Sequence, residues 1–219
     1  MVKAVEYDQL VAERAACRRC DALTNPSVVD DGIHDSTEIG PWSRWQGNLD
    51  ARLMIVGQDW GGVTYFRKHC GLEGPSNPTN DTLRDLISLL GIDIGKPGDL
   101  RRQSIVFLTN AVLCLKAGNL QAQVQPAWFR NCGYFLRRQV EIVQPKLLVC
   151  LGERAYRCLA VAFSFRPGSF RDAVELDDGV MLPTGTRAFA RYHCGRRIQN
   201  THRPLPQQHL DWKRLARFL

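Results

Sequence analysis

LMIVGQDWGG, residues 53–62, decides how the chain folds. Four consecutive aliphatic residues ending on Gly57 read as a strand buried on both faces, which is the signature of a parallel sheet covered by helices. Three further runs share that character: IVFLTNAV (105–112), KLLVCLG (146–152) and a weaker FARYH (189–193). Helical patterns lie between and after them. TNDTLRDLISLLG (79–91) places Leu83, Leu86, Ile87 and Leu90 at helical spacing behind a polar cap at Thr79 or Asn80. PAWFRNCGYFLRRQVEIVQP (126–145) opens on a permitted first-turn proline and stops before Pro145, ERAYRCLAVAF follows the third strand, and LDWKRLARFL ends the sequence. The expectation is a three-layer α/β/α sandwich around a central, mainly parallel four-stranded sheet, formed as a single domain over residues 1–219. Residues 25–48, rich in Pro, Gly, Asp and Ser, read as a long ordered surface loop.

The composition, 44% hydrophobic and 23% charged, excludes a disordered or collagen-like chain. No apolar run reaches the roughly 18 residues of a spanning helix, so no membrane partner is expected. The opening MVKAVEYDQLVAERAAC carries Glu6, Asp8 and Glu13 and no continuous apolar stretch, so it does not read as a secretory signal. The expected setting is a reducing cytoplasm and the expected form a monomer. There the eight cysteines are read as metal ligands or small buried hydrophobes rather than disulfides. Residues 187–217 hold eight basic side chains and one acid, which leaves 21 of each sign elsewhere and accounts for the whole net charge of +7. That concentration is the footprint of a phosphate-backbone contact, with a solubilising face as the plain alternative.

Open parallel sheets collect their working groups beyond the carboxyl ends of the strands. Here those positions supply Gln58 and Asp59, then Thr109 and Asn110, then Gly152 and Glu153, then Tyr192, His193 and Cys194. A carboxylate, a carboxamide and an imidazole thus share one sheet edge. With CRRC (17–20), the GQDWGG turn, TNAVLC, QVEIVQPKLLVCLGERA and YHCG, the sequence resembles the uracil-DNA glycosylase superfamily, most closely its iron–sulfur branch, family 4. Two departures stand out: GQDWGG is nearer to the Gln-Asp motif of family 1, and YHCG lacks the family's usual proline.

Cys17 and Cys20 form a CxxC pair, and Cys114 and Cys132 lie eighteen positions apart downstream. Four such thiolates suit tetrahedral zinc or a [4Fe–4S] cluster, and spacing alone does not separate them. The resemblance implies a structural [4Fe–4S] cluster on these four residues. Cys150 and Cys158, in an apolar strand and helix face, read as buried hydrophobes.

The resemblance also implies roles. Asp59 would support the cationic sugar and orient water, with Gln58 contacting base or water. His193 would donate to the departing base, with His202 as competitor, and Asn110 would read the base edge. Phe66 is the first choice for stacking on the base, ahead of Tyr65 and Trp60. Arg196, Arg197 and Arg203 would hold DNA phosphates, with Ile198 as a wedge. The implied activity is removal of uracil, and of other deaminated bases as further candidates, from DNA as a monofunctional glycosylase. The alternatives are a non-catalytic or covalently trapping uracil-DNA binder on the same fold, and an unrelated zinc module.

Overall fold

The computed structural model describes residues 2–36, 48–74, 77–95, 105–117 and 124–219. Helix α1 (Val2–Ala16) leads through the CRRC turn into a two-residue strand β1 (Leu23–Thr24) and a 3₁₀ segment, Pro26–Gly32. Strand β2 (Leu53–Asp59) is followed by α2 (Val63–Lys68) and α3 (Pro78–Ser88), then β3 (Val106–Val112) and a short β4 (Leu115–Lys116). Next come α4 (Pro126–Val143), β5 (Leu147–Leu151), α5 (Glu153–Ala162), α6 (Phe170–Glu175), β6 (Val180–Met181) and β7 (Arg187–Arg191). Two more helices, α7 (Arg196–Thr201) and α8 (Leu205–Lys213), and a 3₁₀ turn, Arg214–Phe218, follow.

The main sheet has the order β3-β2-β5-β7-β6. Its first four strands are parallel, as read from the four apolar runs, and β6 adds a fifth strand that pairs antiparallel with β7. At two residues, Val180 and Met181, that edge strand is too short for its apolar character to give a periodic signal. A second, two-stranded sheet pairs β1 with β4.

The apolar runs divide by parity between two cores, as strand geometry demands. Met54, Val56, Phe107, Leu148 and Cys150 pack under α1, α4 and α5 with Tyr7, Phe135, Leu136, Val140 and Leu159. Leu53, Ile55, Leu108, Leu147 and Val149 face the other way, onto Leu83, Leu86 and Ile87 of α3 and onto Trp212 and Leu215. Helices therefore cover both faces, and the three-layer expectation holds.

Local boundaries differ from the reading in instructive ways. Helix α3 starts a little earlier than its apolar spacing suggests, because Asn77 accepts from the Thr79 N–H (3.0 Å) and Pro78 takes the first turn. β7 covers 187–191 rather than 189–193, so Tyr192 and His193 lie in the turn beyond it. Helix α1 has buried Tyr7 and Leu10 on its inner face and was not singled out from sequence. Of the expected surface loop, residues 37–47 lie outside the described residues, and Pro26–Gly32 is a 3₁₀ segment.

Candidate active site

Parallel register brings the strand ends level: Gly57 sits opposite Asn110, Val56 opposite Cys150, and Leu151 opposite Arg191. Just beyond them opens a cleft of about 580 Å³. Its walls include Gln58 and Asp59 at the end of β2 and Trp60 just after it, Asn110 of β3, and Gly152 to Arg154 at the start of α5. Glu73, Asn77 and Asn80 close it on the α3 side, and His193, Cys194 and Ile198 on the β7 side.

Asn110 is 2% exposed, and its Nδ2 has no hydrogen-bond partner. A buried amide donor left unpaired costs about 1–3 kcal/mol, so this one is poised to gain from a ligand carbonyl. Its Oδ1 lies so close to Gly57 that any Cβ there would overlap it. Gly57 is thus required by the approach of Asn110, not by its own backbone angles.

Asp59 is held at both oxygens. Oδ1 pairs with Lys116 Nζ at 2.9 Å, the two side chains being only 8% and 3% exposed. Oδ2 accepts from Gln58 Nε2 at 2.6 Å. Gln58 therefore spends an amide hydrogen on the carboxylate, and its role includes orienting Asp59. Lys116 was missed in the sequence, although a lysine inside the apolar VLCLKAG stretch signals a buried cation in need of a partner.

His193 accepts the Gly195 N–H at Nδ1 (3.1 Å), which leaves the proton of the neutral ring on Nε2. The ring opens onto the cleft, but the protein packed around it makes the charged form costly and holds its pKa below the usual 6.5, against the opposing pull of the Asp59 charge. The competing His202 lies outside the cleft, exposed and stacked on Tyr192 at 6.4 Å between ring centroids.

The aromatic choices are reordered. Phe66 is buried beside Val29 and Leu115, edge-on to Trp60 at 6.1 Å, and does not line the cleft. Trp60 does line it, so the expectation that Phe66 stacks on a base gives way to packing behind Trp60. Tyr65 donates to Glu73 (3.1 Å) and accepts from the Gly74 N–H (2.8 Å). Glu73 also accepts from Asn80 (2.9 Å) and Asn77 (3.3 Å), while burial pushes its pKa up. Nothing in GLEGPSN marked this second carboxylate, because the contacts that hold it come from α2 and α3.

Arg196 and Arg197 are exposed on α7, next to the cleft-lining Ile198. Arg203 is not part of that surface. It forks onto Asp211 (2.8 and 2.6 Å) and reaches Glu175 (2.8 Å), and these carboxylates raise its pKa further. With its charge committed to a 3% exposed Asp211, Arg203 ties α6 to α8 rather than holding phosphate.

Cys17, Cys20, Cys114 and Cys132 line one cavity of about 210 Å³, flanked by Arg18 and Arg19. Asn131 Nδ2 lies 3.3 Å from Cys20 Sγ and donates to the Arg19 carbonyl at 3.0 Å. Burial first, then the neighbouring thiols, push the Cys114 thiol up to about 12, and burial does the same for Cys132. Burial raises the Cys150, Cys158 and Cys194 thiols in the same direction, so it is the shared cavity that sets the four cysteines lining it apart. Among the described residues no group of three or more His, Cys, Asp or Glu side chains is disposed to hold a single metal ion, and what the four cysteines share is the lining of this one cavity. Cys150 and Cys158 are buried apart from this cavity, in the core of the sheet.

Fold and cleft together define an α/β protein with a carboxylate, an unpartnered carboxamide donor and an imidazole at the carboxyl edge of a parallel sheet. The chain belongs to the uracil-DNA glycosylase superfamily, whose family profile matches residues 45–216. It is 28% identical over 209 residues to the type-5 uracil-DNA glycosylase of Pyrobaculum aerophilum, covering 90% of this chain and 86% of that protein. The type-4 uracil-DNA glycosylases of Thermotoga maritima and Archaeoglobus fulgidus are 29% and 28% identical over 154 and 148 residues. Each of those matches covers 68% of this chain, and 64% and 60% of the relatives. The likeness to the type-4 proteins is present, and the match to the type-5 protein runs further along the chain.

The three arginines separate in one experiment. Arg203→Ala should lower unfolding free energy by about 3 kcal/mol, because it strands a buried carboxylate, and should leave the salt dependence of DNA binding unchanged. Arg196→Ala and Arg197→Ala should each make the log–log salt slope shallower by about 0.9 with little loss of stability. Denaturant titration and binding at several salt concentrations check both; a shallower slope in Arg203→Ala would return that residue to the DNA surface.

Proposed function

We propose that this chain is a single-domain, monofunctional uracil-DNA glycosylase: it takes uracil out of the base stack and hydrolyses the N-glycosidic bond, leaving an abasic site. The observation that carries this reading is the unpartnered, buried Asn110 Nδ2 in the same cleft as Asp59 and His193. A carboxamide offers a donor and an acceptor side by side, which complements the carbonyl and N–H of the uracil edge. In the reaction a water oxygen bonds to C1′ and the C1′–N1 electron pair leaves with the base. The water's proton ends on the uracil anion. Asp59 supports the positive charge that grows on the sugar, and the His193 Nε2–H donates to the uracil oxygen where negative charge collects. The neutral ring suffices for this purpose, because Nδ1 accepts from Gly195 and the proton on Nε2 remains free to be donated.

The four thiols would hold a [4Fe–4S] cluster, whose part is to staple the segment after α1 to the β3–β4 turn and to α4. The Arg196 and Arg197 side chains would hold phosphates beside the flipped nucleotide. A second reading, a uracil-DNA binder that does not cleave, draws on the Lys116–Asp59 pair, since an ammonium at 2.9 Å offsets part of the carboxylate's charge.

Release of free uracil from oligonucleotides carrying one deoxyuridine decides between them. Glycosylase activity yields free uracil and an alkali-labile site, whereas a retained complex without free uracil would establish the binder. Single-turnover cleavage should fall about 100-fold or more in His193→Ala, and in Asp59→Asn without loss of uracil-DNA binding. Asn110→Ala should instead erode discrimination between uracil and other bases. Protein purified without air should be brown and carry about four irons per chain, as a four-thiolate cubane requires. A colourless protein with stoichiometric zinc would contradict the cluster.

A further inference from the structure

Lys116 does not line the cleft, yet its Nζ is 2.9 Å from Asp59 Oδ1 and its side chain is 3% exposed. Its backbone is equally fixed: the N–H donates to the Gly61 carbonyl at 2.7 Å, Gly62 bridges to it, and Leu23 of β1 pairs with it across the short sheet. The strand that carries it begins directly after Cys114. This ammonium therefore reaches Asp59 from the protein side, from a short strand held by β1 and by the Gly61–Gly62 backbone, while Gln58 holds the other oxygen at 2.6 Å. An aspartate at a strand end has three staggered positions open to it. Turning away from this one would leave a buried ammonium without its carboxylate, an arrangement that proteins tolerate poorly.

We propose that Lys116 is the positioning residue of Asp59, locking the carboxylate in the orientation that faces the sugar, so that the cleavage rate depends on an ammonium that never touches DNA. This inference rests on the role given to Asp59 above. Reactions of this kind lose about 100-fold when a reacting group is misplaced by 1 Å, which sets the size of the effect.

The test uses the whole chain as purified without air. Lys116→Ala should slow single-turnover cleavage of uracil-DNA about 100-fold while leaving affinity for a non-cleavable uracil-DNA analogue unchanged. Added ethylammonium should restore most of the lost rate, and 1-propanol, of similar size and uncharged, should not. Lys116→Met keeps the packed stem and removes the charge, so it should be as slow as the alanine variant but insensitive to ethylammonium; it decides the matter if the alanine variant does not fold. Asp59→Asn/Lys116→Met should cleave no more slowly than Asp59→Asn alone, since the two residues act as one unit. Wild-type rates in Lys116→Met, failure of ethylammonium to rescue a folded Lys116→Ala, or independent losses in the double variant would each overturn the proposal. Wild-type cleavage by Asp59→Asn would overturn the assignment of Asp59 itself, and the lock with it.

Discussion

Everything in the cleft depends on one close approach: the Asn110 side chain lying against the backbone of Gly57, across the parallel pair β2 and β3. The six other residues of β3, all buried, hold Asn110 in register, and the bare Cα of Gly57 leaves room for its amide. Shifting the pairing by one residue would turn Asn110 to the other face of the sheet, because strand side chains alternate. The two apolar cores, each packed against alternate residues of the same strands, forbid that slip. Hydrophobic packing thus sets the position of a polar group that packing alone would never favour.

A second layer of control is ionic. Asp59–Lys116 and Arg203–Asp211 each take charge out of water, at a cost that only close pairing offsets. Neither pair is a surface ornament, since removing one member would leave the other buried and unpaired. The first orients the carboxylate in the cleft. The second braces α8 against α6, behind the turn that carries His193. The cysteine cavity belongs to the same design, since Cys114 stands two residues before Lys116 and Cys20 three before Leu23, its partner strand residue.

Much of this was legible in the sequence. The apolar runs at 53–57, 105–112, 146–152 and 189–193 gave the parallel strands, and positions at or near the carboxyl ends of three of them gave the candidates Asp59, Asn110 and His193. The four cavity cysteines were also legible, because CxxC and the two later thiols carry chemistry wherever they fall. What escaped was tertiary. Lys116 and Glu73 acquire meaning from partners distant in the chain or on other elements, which periodicity does not encode. Arg203 misled because a basic segment reads as one surface until Asp211 and Glu175 are seen beneath it. Phe66 misled for a similar reason: loop aromatics look alike in sequence, and burial behind Trp60 distinguishes them only in the fold.

In the function proposed for this cleft, the Asn110 amide reads the base. The side-chain amide resonances of asparagine, assigned in ¹⁵N-labelled protein, report on it directly when free uracil is titrated in. The account requires the Asn110 Nδ2 protons to shift downfield on saturation with uracil, while cytosine, which offers an amine in place of that carbonyl, leaves them in place. An Asn110 amide that does not move while uracil binds elsewhere in the cleft, or that responds equally to cytosine, would contradict it.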